Sequence, residues 1–221
     1  MVAKEAGFSL EEIDLTPALD SLGCYRGAVA GLARSKAVNR LAFWSMRRLF
    51  GADPYRTTLE GTDNPVLNQA MAFFRLKHRL RMAVLYRRAE QEGLLVAGCL
   101  NLTEYLTGFF VRYGDNAADL APILSLYKSQ VRRLASHLGV PEPIITKPPS
   151  PDLLPGIVDE TALGIPYEKL DLVLHALKEG LPQADIADRV EVSPAAVKRV
   201  KQLVELSERF RKTVPYPELA S

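Results

Sequence analysis

Apolar residues recur at helical spacing along three separated stretches of the chain. The first runs from Ala70 to Glu92, the second from Val131 to Leu138, which stops before Gly139, and the third from Tyr167 to Glu179, which stops at Gly180. Spacings of three and four residues place side chains on one face of a helix. We therefore predict an amphipathic helix in each stretch.

A short apolar run, Leu94 to Gly98, follows the first of these helices. Its length and flanking glycines are typical of a buried strand, and a buried helix segment fits the same pattern. We also predict a short strand at "EEIDL" and a basic amphipathic helix that ends at Gly51. A helix followed by a buried strand indicates a layered α/β fold.

The C-terminal part, residues 181–221, is predicted to be a helical extension of a single domain that spans residues 1–221. Its stretch "QADIADRVEVSPAAVKRVKQLVE" resembles a helix-turn-helix, which makes a DNA-binding module an alternative function. Glu191 occupies the turn position that glycine usually fills, and a charged residue is disfavoured where φ is positive.

The overall composition argues against a nucleic-acid or membrane partner. The 221 residues are 48% hydrophobic, and 28 basic and 26 acidic side chains leave a net charge of only +2. No apolar run approaches the roughly 20 residues that span a bilayer. The N-terminus lacks a signal-peptide pattern, and Cys24 and Cys99 are not grouped with histidines as zinc ligands are. We therefore predict a cytoplasmic protein.

Acidic residues and a lysine follow the predicted strand, where parallel α/β sheets bind their ligands. Glu104, Asp115 and Asp119 carry oxygen ligands of the kind that Mg²⁺ prefers, although solvated or helix-capping acids give the same pattern. Lys128 opens the next predicted helix, where it would reinforce the attraction of the first-turn N–H groups for a phosphate.

Several motifs in this order resemble the NAD synthases, enzymes that amidate deamido-NAD with ATP. The resemblance implies an α/β fold with a Rossmann-like parallel sheet and flanking helices. The segments that carry it are "KHRLRMAVLY", "GLLVAGCLNLTEYLTGFFVRYGDNAADLAPI", "LYKSQVRRLASHLGVPEPIITKPPSPDL" and "DETALGIPYEKLD".

On the ATP side, the resemblance implies that Lys128 and Ser150 contact the phosphates of ATP and that Glu104 is a Mg²⁺ ligand. Ser150 stands where the family more often has threonine, so the hydroxyl is retained. Cys99 stands at a position where the family commonly has an ATP-contacting threonine. Cationic and hydroxyl side chains suit phosphates, and a carboxylate suits Mg²⁺.

On the dinucleotide side, the resemblance implies that Arg79, Arg112 and Asp119 bind deamido-NAD, and that Asp115 acts with Lys128 in catalysis. The nicotinate carboxylate would attack the α-phosphate of ATP and release pyrophosphate. Ammonia would then displace AMP from the mixed anhydride. A homodimer is expected, and the nitrogen comes either from free ammonia or from a partner glutaminase.

The family's phosphate loop, Ser-Gly-Gly followed one residue later by Asp-Ser, does not occur in the 221 residues. We therefore expect an N-terminally truncated sheet and no measurable NAD synthesis by this chain alone. Arg209-Phe210 also replaces the family's C-terminal His-Lys pair, and the stretch from Ser21 to Phe74 is longer than in compact members. An inactive relic or an interaction protein is a further alternative.

Overall fold

The computed structural model describes residues 7–24, 39, 41, 44, 53–150 and 158–211. Its described part is dominated by α-helices, which are numbered here in chain order. They are α1 (Thr16–Ser21), α2 (Pro54–Glu60), α3 (Pro65–Glu92), α4 (Leu102–Thr107), α5 (Lys128–His137), α6 (Glu142–Ile145), α7 (Asp159–Leu163), α8 (Tyr167–Lys178), α9 (Gln183–Val190) and α10 (Pro194–Arg211).

The three helices predicted from apolar spacing are confirmed as α3, α5 and α8. The Asn64 side chain caps α3 by accepting from the N–H groups of Val66 and Leu67. Gly93 ends it in a left-handed conformation, with φ of 65°. Such capping groups satisfy backbone donors and acceptors that a helix leaves unpaired at its ends. The predicted helix that ends at Gly51 lies largely outside the described residues.

The main core lies between α8, α9 and α10, with the ends of α4, α5 and α7 packed against it. Its fully buried members are mostly branched aliphatic residues, which lose little χ freedom on packing. They include Leu163, Leu170, Val173, Ile186, Val197 and Val200. A smaller cluster packs α1 on α3 through Leu19, Cys24, Ala70 and Phe73.

Polar contacts attach α2 and α4 to this core. Arg199 of α10 forms an ion pair with Asp53, the N-cap of α2, and donates to the carbonyl oxygens of Ala162 and Leu163. The Ser207 hydroxyl donates to the Leu106 carbonyl oxygen at 2.7 Å. Because these contacts join segments far apart in sequence, they fix where α4 lies relative to α10.

The stretch that resembles a helix-turn-helix contains two helices, α9 and α10, separated by a short turn at Glu191. Glu191 ends α9 with φ of 55° and ψ of 55°, so a charged residue does occupy the left-handed turn position. Lys169 offsets its cost by donating to the Val190 carbonyl oxygen at 2.5 Å and lying 3.4 Å from the Glu191 carboxylate. This geometry does not test DNA binding, which stays an alternative.

The predicted parallel sheet is not confirmed in the described part of the chain. There, pairing is limited to an isolated parallel bridge between Ala97 and Leu120, and the segment "EEIDL" is not a strand, so that prediction was wrong. Within the predicted strand Val96 is buried, whereas Leu94 and Leu95 are 59% and 72% exposed. A strand is ordered by the strands that pair with it. A run of apolar residues does not specify which segments those partners are.

In the described residues, no helix combines the length and the apolar character that a membrane crossing requires. The predicted cytoplasmic location and the division into a domain with a 181–221 extension stay predictions. The helices of that extension pack directly on α8.

Candidate active site

Glu104 is fixed by the first turn of α4. The Asn101 side chain accepts from the Glu104 N–H at 3.0 Å, and Glu104 Oε2 accepts from the Asn101 N–H at 3.1 Å. This reciprocal pair is a capping box, and it holds the carboxylate in one orientation. Asn101 itself is almost completely buried. Glu104 therefore lies at a helix N-terminus with one oxygen engaged by the backbone.

The other oxygen of Glu104 meets the ammonium of Lys128. Oε1 lies 3.2 Å from Lys128 Nζ, and the two side chains are only 14% and 22% exposed. A partly buried ion pair is screened less by solvent than a surface pair. The structure thus brings together the predicted Mg²⁺ ligand and the predicted phosphate-binding lysine.

The start of α5 differs from the expectation that its N–H groups attract a phosphate. The Lys128 N–H donates to Thr103 Oγ1 at 2.9 Å, and the Ser129 N–H donates to Asp171 Oδ2 at 2.8 Å. These donors are already satisfied by the protein. Any attraction of Lys128 for a phosphate consequently comes from its side chain.

A buried tyrosine and carboxylate lie behind Lys128. Lys128 Nζ is 5.4 Å from the centroid of the Tyr167 ring, and the Tyr167 hydroxyl donates to Asp159 Oδ2 at 2.9 Å. Asp159 Oδ1 is buried without a hydrogen-bond partner. Burial raises the pKa of Asp159, and the hydrogen bond from Tyr167 and the Lys128 charge partly oppose that shift.

Ser150 lies one residue from a contact with the same cluster. The Asp159 N–H donates to the Pro149 carbonyl oxygen at 3.1 Å, which brings the two flanks of the proline-rich segment together. Since Asp159 contacts Tyr167 and Tyr167 underlies Lys128, a chain of contacts links Pro149, the neighbour of Ser150, to the cluster around the ion pair. The segment between, residues 151–157, lies outside the described residues.

Two of the three predicted dinucleotide-binding residues, Arg79 and Arg112, form a second cluster between α3 and the loop after α4. Arg79 Nε donates to the Arg112 carbonyl oxygen at 3.2 Å, and the Arg112 guanidinium lies 5.1 Å from the centroid of the Tyr113 ring. Asp115 accepts from the Val111 N–H at 2.7 Å and lies 3.6 Å from His78 Nδ1. Asp115 is therefore grouped with His78 and the Arg112 loop, and not with Lys128 as the prediction of a shared catalytic role implied.

His78 is a buried titratable group that sequence reasoning missed. Burial lowers its pKa, and the Asp115 carboxylate opposes the shift, while the charges of Arg81 and Lys77 add to it. A Cβ at Gly114 would lie 2.7 Å from the His78 Cβ, so glycine is required where the loop crosses α3. Burial therefore favours the neutral form of the His78 imidazole, and His78 packs under the loop that carries Asp115.

Asp119 pins the bridged segments to each other. Its Oδ2 accepts from the Val96 N–H at 2.7 Å, and its Oδ1 accepts from the Tyr86 hydroxyl at 3.3 Å. Cys99 is exposed just beyond the bridge. Asp119 has a local structural task in addition to the ligand contact predicted for it.

A Mg²⁺ ion fits this site only in part. Among the described residues, no group of three or more histidines, cysteines and acids is arranged to hold a metal. Glu104 supplies a single carboxylate. Mg²⁺ keeps water and phosphate oxygens as ligands and is often held by one or two carboxylates, so the site suits a Mg²⁺ that arrives with a nucleotide.

Comparison with protein families identifies the family to which the chain belongs. The NAD synthase family model matches residues 52–215. The chain belongs to the NAD synthase family. The matched range includes each of the candidate site residues described above.

Sequence relatives extend the match over most of the chain. The NH(3)-dependent NAD(+) synthetase of Thermotoga maritima is 39% identical over 209 residues, which are 95% of this chain and 72% of that protein. The protein of the same name from Coprothermobacter proteolyticus is 42% identical and covers 86% of this chain and 68% of its own length.

Solved structures of NAD synthase relatives share the fold. NMN synthetase from Francisella tularensis superposes with a TM-score of 0.67 at 26% identity and covers 98% of this chain and 70% of that one. The NH3-dependent NAD synthetase from Campylobacter jejuni superposes with a TM-score of 0.61 at 21% identity, which supports the fold alone. Both belong to enzymes with an α/β fold.

Two further polar residues contact the start of α5 beside the Glu104–Lys128 pair and were missed from the sequence. Thr103 is fully buried, Asp171 is 4% exposed, and they hydrogen-bond to each other across 68 positions of sequence. A signal did exist for Asp171. It lies on the apolar face of α8 beside Leu170 and Leu174, where an unexplained carboxylate indicates a buried partner.

Proposed function

We propose that this chain carries the amidation chemistry of NAD synthesis, in which deamido-NAD, ATP and ammonia give NAD, AMP and pyrophosphate. The observation that carries the proposal is the Glu104–Lys128 ion pair and its linked contacts to the neighbour of Ser150, in a chain whose relatives are named NH(3)-dependent NAD(+) synthetases. A fixed cation and carboxylate at one point suit the phosphates and Mg²⁺ of a bound nucleotide.

On the ATP side, Lys128 and Ser150 contact phosphate oxygens and Cys99 lies near the nucleotide. Glu104 is the protein ligand of Mg²⁺, which offsets negative charge on the phosphates when it is bound. Glu104 also assists the phosphate contact of Lys128, because an ammonium that Glu104 already holds needs little reorganisation to face a phosphate. Preorganised charge of this kind is a major source of rate enhancement.

On the dinucleotide side, Arg79 and Arg112 bind the phosphates of deamido-NAD, Asp119 holds the ligand and Asp115 assists the chemistry. The nicotinate carboxylate attacks the α-phosphorus of ATP, and the bond to pyrophosphate breaks. Ammonia then forms the amide bond as AMP leaves. Both steps require the two clusters to present their ligands to each other, so positioning is the main task of the protein.

The finer fold prediction belongs to this proposal. We infer that the bridged segments at Ala97 and Leu120 are strands of a parallel sheet in the assembled enzyme, because related enzymes have an α/β fold and the bridge has parallel polarity. A homodimer, a cytoplasmic location and a choice between free ammonia and a glutaminase partner stay predictions.

A related substrate is a second candidate, since the structural relative with a TM-score of 0.67 is named an NMN synthetase. The same chemistry would then amidate the nicotinate mononucleotide. Deamido-NAD is favoured because the sequence relatives, at 39% and 42% identity, are named NAD(+) synthetases. A catalytically inactive interaction protein and a DNA-binding module are less favoured alternatives.

The deciding experiment measures AMP and the amidated product by chromatography. The reaction contains Mg²⁺, ATP, ammonium and either deamido-NAD or nicotinate mononucleotide as the substrate to be amidated. Two proteins are compared: the 221-residue chain, and the same chain joined at its N-terminus to a segment that carries the Ser-Gly-Gly loop. We expect product from the joined protein and none from the chain alone. Backbone N–H groups of such a loop stabilise several phosphate oxygens, and two or three lost charge-assisted bonds correspond to about 3 to 9 kcal/mol.

The outcomes separate the hypotheses. Absence of AMP release from both proteins would contradict the proposed amidation and favour the inactive alternative. Robust turnover by the chain alone would show that the expectation about the loop is wrong, while supporting the family chemistry. In a separate binding experiment, a salt-dependent mobility shift of duplex DNA by this protein would instead favour the helix-turn-helix alternative.

A further inference from the structure

Lys128 is held at its backbone N–H and at its ammonium by residues of two neighbouring helices. On α4, Thr103 accepts from its N–H and the next residue, Glu104, pairs with its ammonium. On α8, Tyr167 lies under the ammonium, and Asp171, one turn later, accepts from the following N–H, that of Ser129. Residues four apart share a helix face, so α8 meets both parts of this region with one face.

The link between the two helices is a buried hydrogen bond. Thr103 Oγ1 donates to Asp171 Oδ1 at 2.5 Å and accepts from the Lys128 N–H at 2.9 Å. One hydroxyl therefore orders both the carboxylate and the start of α5. The Asp171 charge is also favourable at that helix N-terminus, where the peptide dipoles leave partial positive charge.

We propose that Thr103 and Asp171 are positioning residues that fix the Lys128 ammonium beside Glu104. They contact no substrate themselves, and they act through the first turn of α5. The inference rests on the proposed function for its catalytic consequence, since Lys128 is the residue that meets ATP there. Loss of either acceptor leaves a partly buried N–H unpaired and lets the first turn of α5 shift.

The chain offers a matched pair of substitutions and a control. Thr103→Val removes the hydroxyl with little change of shape, and Thr103→Ser restores it. Thr107 is also fully buried on α4, but its hydroxyl donates to the Thr103 carbonyl oxygen within the helix. Thr107→Val therefore makes the same chemical change without touching α5. Asp171→Asn is a second test if Thr103→Val fails to fold.

The first measurement needs no enzymatic activity and uses the 221-residue chain. Amide hydrogen exchange of Lys128 and Ser129 is followed by NMR, and acetylation of the Lys128 amine is followed by peptide mass spectrometry with Lys169 as internal reference. We expect Thr103→Val to speed both by about tenfold, the factor for one lost hydrogen bond, and Thr103→Ser to return them towards the parent values. Thr107→Val should leave both near the parent.

The second measurement uses whichever form of the protein makes NAD. Thr103→Val should lower kcat/KM for ATP by about tenfold, through a higher KM and a lower kcat together, with KM for deamido-NAD nearly unchanged. Equal effects of Thr103→Val and Thr107→Val on exchange, acetylation and kinetics would overturn the proposal, because both would then act only through stability. If no form makes NAD, the proposed function fails, while the exchange and acetylation results still decide whether this pair positions Lys128.

Discussion

The two clusters of the site differ in how completely the fold orders them. Around Lys128, the contacts come from α4 and α8, and Thr103, Tyr167 and Asp171 are buried. Around Arg79, a single long helix and one loop meet, and Arg79 and Tyr113 are exposed. The proposed ATP side is thus preorganised by the core, whereas the proposed dinucleotide side presents the exposed Arg79 and the half-buried Arg112.

This difference indicates a division of labour. A cation held in place by a carboxylate acts on charge that develops during reaction, and its removal lowers kcat. An exposed arginine acts mainly through binding energy for a phosphate, and its removal raises KM. The two kinds of kinetic change therefore provide a direct comparison of the clusters.

The largest effect is expected at Lys128. In the form of the protein that makes NAD, Lys128→Ala should lower kcat by about 10²- to 10³-fold, the size typical of losing one preorganised stabilising group. Glu104→Ala should act in the same direction because it removes the proposed Mg²⁺ ligand and the partner of the lysine. Product formation under saturating substrates measures both.

Lys169→Ala is the matched control for Lys128→Ala. Lys169, on α8, also forms an ion pair, at 3.4 Å with Glu191. Glu191 lies at the turn between α9 and α10, away from the proposed site. The kcat of Lys169→Ala should stay within about twofold of the parent, since exposed ion pairs contribute about 0 to 1 kcal/mol to stability. A Lys128→Ala protein as active as this control would remove Lys128 from the proposed site.

A smaller effect is expected on the dinucleotide side. Arg79→Ala should raise KM for deamido-NAD by about tenfold, as one charge-assisted contact is lost, with a smaller change in kcat. Arg81→Ala provides the control, because Arg81 is an exposed arginine two residues along the same helix. Initial rates at varied deamido-NAD concentration measure both. Equal KM values for the two variants would argue against a specific role for Arg79.

Apolar spacing correctly predicted the helices α3, α5 and α8, although only α8 buries a continuous apolar face and α5 has no fully buried residue. The strand predicted at Leu94 to Gly98 is not confirmed beyond the bridge at Ala97, because a strand is ordered by neighbours that a local apolar run does not identify. The same limit applies to the site. Glu104 and Lys128 were predicted by resemblance, but the Thr103–Asp171 bond joins distant positions whose pairing no local pattern contains.

A pH-dependent effect is expected from His78. Its pKa is lowered on folding from an ordinary value of 6.5, mainly by burial. The unfolded chain then binds more protons as pH falls through that value, so the free energy of unfolding falls towards acid pH. One such group contributes a slope of at most about 1.4 kcal/mol per pH unit.

Urea unfolding of the parent and of His78→Gln between pH 7.5 and 5.5 measures this contribution. The variant should lose less stability across the range, although its absolute stability is lower because it replaces a buried imidazole with a side chain of different shape. His137→Gln, at an exposed position near the end of α5, is the control. Parallel curves for all three proteins would show that the His78 imidazole does not titrate differently on folding.

The smallest effect is expected at Leu95, and its size depends on whether the parallel sheet forms. Leu95 is 72% exposed in the described structure, whereas Leu170 of the core is fully buried. In the 221-residue chain, Leu95→Thr should change the free energy of unfolding by no more than about 0.5 kcal/mol, while Leu170→Ala should lower it by about 2 to 5 kcal/mol.

In the protein joined to the loop-bearing segment, neighbouring strands and helices would cover Leu95 if the sheet proposal is correct. The same Leu95→Thr substitution should then cost about 1 to 3 kcal/mol, because it removes buried methyl groups and introduces a hydroxyl without a partner. Urea titration of both proteins measures the difference, and an equally small effect in the joined protein would contradict a buried strand at Leu94 to Gly98.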